Sequence, residues 1–169
     1  MEVQGEFRLE RGFFEINNRR LSLKGDVVIR SRVGSETSTG IAFIDGDAAQ
    51  TIESENGIFH NLTVNNTNGV TLTGGQLTVR KTMQLQNGNF HLGSHRLRIE
   101  TEIGALNVPS PSASRCFTTD GSASAGGLQV VFKNDNQNVF YPIGVLDGAT
   151  VKYTPAEIRI NGSLSQNGL

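Results

Sequence analysis

Apolar and polar positions alternate with a period of two in short bursts along this chain. Between residues 82 and 99, TMQLQNGNFHLGSHRLRI, the triplets Met83-Gln84-Leu85, Phe90-His91-Leu92 and Leu97-Arg98-Ile99 begin seven residues apart. Six more triplets have the same form: Phe7-Arg8-Leu9, Phe14-Glu15-Ile16, Leu21-Ser22-Leu23, Leu62-Thr63-Val64, Val70-Thr71-Leu72 and Leu77-Thr78-Val79. The middle residue is polar in each, so both flanking side chains point to one face of a strand and the middle one to the other. A helix would need apolar residues at three- and four-residue steps with few breakers. The gaps instead read NNTNG, TGG, QNGN and GSH, which is turn chemistry.

Three-residue strands joined by such turns make a weak meander, because short isolated hairpins are marginal. Pairing each triplet with the third one after it gives a different object. Leu62 then meets Met83, Val70 meets Phe90 and Leu77 meets Leu97, at separations of 21, 20 and 20 residues. Asn66 meets Asn87 in the same way, which predicts a ladder of corner asparagines. Stretches 7–25 and 83–101 also match without a gap at an offset of 76 residues, Leu9 on Leu85, Gly12 on Gly88 and Leu21 on Leu97. The pattern predicts an all-β fold, a right-handed parallel β-helix with three short strands per coil and about 20–21 residues per coil. One coil cannot bury its own apolar side chains, so stacking decides stability.

The expected organisation is parallel β-helix coils over 1–107, a Ser/Ala/Gly/Pro-rich loop over 108–127, and a β-rich terminal cap or small sandwich over 128–169. Strands are also expected at Val27-Val28-Ile29 and at 41–44, with SRVGSETSTG between them an exposed loop. The segment 43–64 completes one coil and begins the next. In the cap, 128–133, 139–143 and 151–160 read as strands, held to edges or bulges by Pro142 and Pro155.

Composition narrows the function classes. Hydrophobic residues make up 36%, with 20 Gly, 4 Pro and no Trp among 169 residues, which suits short strands and many corners. A formal net charge of -1 removes the basic footprint of a nucleic-acid binder or an anionic-membrane binder. No stretch reaches the length of a membrane span. The opening MEVQGEFRLE lacks the basic and apolar regions of a signal peptide, so any export signal is expected upstream of this stretch. The single cysteine, Cys116, reads as a small buried hydrophobe.

The run Phe43-x-x-Gly46-x-x-x-Gln50-Thr51-Ile52, followed by Phe59-His60-Asn61-Leu62-Thr63-Val64-Asn65-Asn66, resembles repeats in very large secreted cell-surface proteins of Bacteroidetes. The tract 83–99, with Gly88 and Gly93 in place, fits the same pattern. So do Phe140-Tyr141-Pro142-Ile143-Gly144, which carries one extra residue, and Tyr153-Thr154-Pro155. The likeness covers about residues 40–160, and its motifs are structural. It implies an adhesin-like stalk region exported through a type IX-like route, with the secretion machinery contacted by regions outside this chain.

Candidate chemistry is sparse. His91 and His95 are four apart, but a strand and its following corner would not give them a shared face. Asp45-Gly46-Asp47 could offer carboxylates to Ca²⁺, although the spacing reads as a plain turn. Glu53 and Glu55 cluster at an expected corner, and the outward columns Arg8–Thr63–Gln84 and Glu15–Thr71–His91 contain no paired acids for glycoside chemistry. Asn61-Leu62-Thr63, Asn65-Asn66-Thr67 and Asn161-Gly162-Ser163 match the N-glycosylation pattern, which Asn-rich corners generate by chance. Thr63, Thr71 and Thr78 fall on three successive faces, so no ranked threonine array is expected. No catalytic residue, cofactor or metal is assigned.

The expectation is a non-catalytic structural or adhesive module, secreted or at the cell surface. Its partners would be extracellular glycans or other surface proteins. The alternative is a carbohydrate-binding or polysaccharide-degrading β-helix.

Overall fold

The computed structural model describes residues 1–100, 106–121, 126–132 and 135–162. Among these the chain is all-β, without a helix, and its parallel strands stack into a β-solenoid of about five turns. Each coil has three faces. The first is built by Phe7–Leu9, Val27–Ile29, Gln50–Ser54, Val70–Gly74, Phe90–His91, Phe117–Thr119 and Ile143–Asp147. The second contains Phe13–Phe14, Arg32–Val33, Arg96–Ile99 and Gly127–Val130, and the third Glu2–Val3, Arg20–Leu23, Ile41–Ile44 and Leu106–Asn107. The strands Gly57–Asn65 and Gln76–Asn87 bend through a corner and serve both the second and third faces.

The registers expected of the apolar triplets are observed residue for residue. Leu62 lies beside Met83, Val70 beside Phe90 and Leu77 beside Leu97, all in parallel pairing. Coil spacing is therefore the parallel-strand spacing of about 4.8 Å. Inward residues form columns such as Leu23–Ile44–Val64–Leu85 and Val33–Phe59–Val79–Ile99, and these side chains are essentially sealed from solvent. Phe90 and Phe117 stack at 6.0 Å between ring centroids, continuing one column into the next coil.

The asparagine ladder is displaced by one residue from its expected place. Asn87 aligns with Asn65, and its amide Nδ2 donates to Asn65 Oδ1 at 2.6 Å. A register shift between Leu85 and Asn87 adds one residue to the later strand, which moves the ladder from Asn66 to Asn65. Asn66 is instead buried, where its amide donates to Ala48 O and to Gln50 Oε1. The following turn passes so close that a Cβ on Gly88, at φ 74°, would sit 1.9 Å from Asn66 O.

The boundary expected at 107 is also corrected. Phe117–Thr119, inside the expected loop, pairs in parallel with Phe90–His91, and Gly127–Val130 pairs with Arg96–Ile99. Two apolar positions, Cys116 and Phe117, anchor that strand in the core. The solenoid ends at Ile143–Asp147, which pairs in parallel with Phe117–Thr119 and antiparallel with Thr150–Tyr153. A second antiparallel pair, Asn138–Tyr141 with Ala156–Arg159, completes the C-terminal cap. Pro142 and Pro155 fall between these strands, where no ladder N–H is needed. Within SRVGSETSTG, Arg32–Val33 is a second-face strand, so only the part after it is loop.

Among the described inward positions, Gln50 is polar. Gln50 heads the column that continues as Val70 and Phe90, yet it is almost fully buried. Its Oε1 accepts from Gly46 N at 2.7 Å and from Asn66 Nδ2 at 2.9 Å, while Nε2 donates to Leu23 O at 3.0 Å and to Gly25 O. The side chain thus joins three coils with its whole hydrogen-bonding capacity in use. Gln50→Leu keeps the volume and matches the apolar column, but strands those buried partners. It is expected to lower unfolding free energy by more than about 2 kcal/mol, read from urea denaturation; an unchanged or raised midpoint would refute the staple.

Candidate functional site

The acids that cluster in the sequence are tied to cations of neighbouring coils. Arg30 Nη1 bonds both carboxylate oxygens of Glu10 at 2.7 Å, its Nε bonds Glu55 at 3.1 Å, and Nη2 bonds Glu53. Arg8 bridges Glu6 and Glu10 at 2.9 and 2.7 Å. Hydrogen bonds from Arg8 and then Arg30 hold the Glu10 carboxyl below its ordinary range. A general acid in glycoside cleavage needs the opposite shift, so Glu10 is held in the ionised form.

The outward columns differ in part from expectation. Arg8 aligns with Val28 and Glu53 on the first face, whereas Thr63 and Gln84 align with Phe43 and Ser22 on the third. Thr71 and His91 do share a column, joined by Thr51 and Thr118 and not by Glu15. The physical reason is that the two matching sequence tracts start on different faces. Phe7 opens on the first face and Met83 on the third. All three faces demand the same alternation, so a tract can begin at any corner.

Beneath the loop after Val33 lies a buried histidine. His60 is sealed from solvent, and its Nε2 sits 3.0 Å from Glu36 Oε1. The hydrogen bond with His60, ahead of the nearby Arg80 charge, keeps the Glu36 carboxyl low. Lys81 Nζ donates to the carbonyls of Glu36 and Ser38, and Asn61 Nδ2 donates to Ser38 O and Gly40 O. The loop is therefore strapped onto the coil, with His60 serving as its floor.

The third face carries the most elaborate polar arrangement. Lys24, Asp45, Asn65 and Asn87 occupy its corner in successive coils. Asp45 is buried and accepts from Ser22 Oγ at 2.6 and 2.8 Å and from Arg20 Nη2 at 2.6 Å, with Lys24 Nζ 3.5 Å away. Burial by itself would raise its pKa. The Ser22 and Arg20 hydrogen bonds, with the charges of Lys24 and Arg20, outweigh that and lower it. Arg20 also lies over the Phe43 ring, 3.6 Å from its centroid, which fixes where its guanidinium points. In front of these groups opens a concavity of about 480 Å³, walled also by Asp47, Thr67 and Asn68.

The remaining sequence candidates separate. Asp45 is saturated by its hydroxyl and cationic partners while Asp47 is exposed, so the two do not converge as a Ca²⁺ pair. His91 Nδ1 lies 3.1 Å from Thr118 Oγ1 on the first face, and His95 sits in the turn before the second. Asn61 of the first glycosylation match is buried against backbone carbonyls, and Ser163 of the third lies outside the described residues. Cys116 is buried, and loss of solvation pushes its thiol up to about 11, away from thiolate chemistry at neutral pH.

Sequence reasoning passed over Arg20, Lys24 and Asn68, and met Asn65 only in a glycosylation match and in the run that resembles surface repeats. The signal was present: Lys24, Asp45 and Asn65 repeat at coil-length spacing, as the apolar triplets do.

Because its folded pKa is depressed, Asp45 contributes stability that is complete above the ordinary Asp range, about 3.9. That contribution is lost as pH falls through the lower folded value. Asp45→Asn should destabilise the chain by about 1–3 kcal/mol at neutral pH, with the difference closing as both proteins are acidified. Urea midpoints measured across that range test it; a gap that persists in acid would contradict the assignment. No protein-family model, no curated protein and no solved structure matches this chain.

Proposed function

We propose that this chain is a non-catalytic structural and adhesive module of a large secreted bacterial cell-surface protein. The observation that carries the reading is the fate of its charged side chains. Glu10, Glu53 and Glu55 gather on Arg30, and Asp45 on Arg20 and Lys24, so acids that could have formed a catalytic pair brace adjacent coils instead. Such cross-coil pairs suit a stiff rod. Stacked coils then present outward residues at a repeat of about 4.8 Å, and repeated weak contacts along that surface sum to useful avidity. The resemblance of the Phe43–Gly46–Gln50 and Phe59-to-Asn66 runs to secreted surface repeats supports the location.

A carbohydrate-binding role is the second reading, and the concavity at Asp45 favours its binding form over its depolymerising form. A depolymerase would need a carboxyl poised as acid beside one poised as base, whereas the Asp45 carboxyl is held ionised among cations.

A polysaccharide panel distinguishes the readings. Incubation with the purified chain should release no reducing ends above the buffer level, while immobilised glycans or surface proteins retain it more strongly when densely displayed. Reproducible turnover abolished by Glu53→Gln or Asp45→Asn would overturn the proposal.

A further inference from the structure

We infer that the third-face concavity is a subsite for one uncharged hexose residue of a glycan. The inference rests on the adhesive reading of this surface and gives it a place and a ligand class.

Charge decides the class. The lining holds Arg20, Lys24, Asp45 and Asp47, two cations and two carboxylates, with Asp45 paired to both cations. An anionic ligand such as a uronate or sulfate would meet Asp45 and Asp47, and a cationic one would meet Arg20 and Lys24. A neutral ligand meets neither penalty. An apolar ligand would leave this polar lining without partners.

Hydrogen-bonding capacity decides the chemistry. The Asp45 oxygens are already filled by Ser22 and Arg20. Among the described residues, the Asp47 carboxylate, the Asn65 amide NH₂ and the Thr67 hydroxyl have no protein partner. Asn65 uses only its Oδ1, on Asn87. One strong acceptor, one double donor and one group of both kinds therefore line the same hollow. Adjacent sugar hydroxyls, each donor and acceptor at once, match that mixture.

Preorganisation supports it. Arg20 is fixed over Phe43, Lys24 Nζ is held on Asp45 O at 2.8 Å, and Asn68 Nδ2 is held on Asp47 O at 2.9 Å. Asn68 N also donates to Asn66 Oδ1 at 2.9 Å, which locks the turn that forms one wall. The backbone of the hollow is thus ordered in advance, and a ligand has only the Asp47 and Thr67 side chains left to order.

The test is an amide-resolved NMR titration of the whole chain with neutral disaccharides of glucose, mannose and galactose, beside galacturonate and sulfated-glycan arms. At least one neutral sugar should shift Gly46, Asn65 and Asn68 and leave the first face still. Asp47→Ala and Thr67→Ala should each weaken that binding by about tenfold, a loss of roughly 1.4 kcal/mol. Both side chains are exposed and unpartnered, so folding is not at stake. Thr71→Ala, on another face, should change nothing. Absence of shifts with every neutral sugar, shifts elsewhere, or preference for an anionic arm would overturn the subsite while leaving the scaffold reading intact. New anomeric signals from cleaved sugar would instead overturn the scaffold reading.

Discussion

Inter-coil register is the constraint on which everything else in this molecule depends. Parallel strands one coil apart exchange backbone hydrogen bonds only when like positions align, and each coil must therefore return its apolar residues to the same columns. Leu62 on Met83, Val70 on Phe90 and Leu77 on Leu97 show that return within about one residue of a constant coil length. Where the chain needs more residues, it expels them at corners. The added residue before Asn87 leaves the inward columns undisturbed.

The three faces are nearly equivalent in what they ask of a sequence. Each requires an apolar–polar–apolar triplet and a turn, so tracts can be copied to a new corner without penalty. That is why the matching tracts beginning at Phe7 and Met83 occupy different faces, although they are aligned without a gap in sequence. Gln50 breaks the equivalence. A buried amide that bonds Gly46, Leu23, Gly25 and Asn66 distinguishes one corner of one coil from the rest, and unsatisfied alternatives in a slipped register would be costly.

Electrostatics follow the same columns. With coils stacked so closely, charges one coil apart are within ion-pair reach, and the chain places Arg30 among Glu10, Glu53 and Glu55, and Asp45 between Arg20 and Lys24. Exposed pairs of this kind add little individually. Their larger effect is to fix the positions of outward groups, which gives the third face its defined concavity.

By itself the sequence determined the alternation, the coil length and the identity of the stacked residues, because period-two burial and turn chemistry act locally and repeat. Only the tertiary structure decided which face each tract enters, that Asn65 and not Asn66 pairs with Asn87, and that Phe117 carries the solenoid beyond residue 107. It alone brought Arg20, Lys24, Asp45 and Asn65 around one hollow. Corner residues decide those outcomes, and a corner obeys no period: the residue inserted before Asn87 moves the corner side chains by one place, while Phe90 and His91 resume register with Val70 and Thr71.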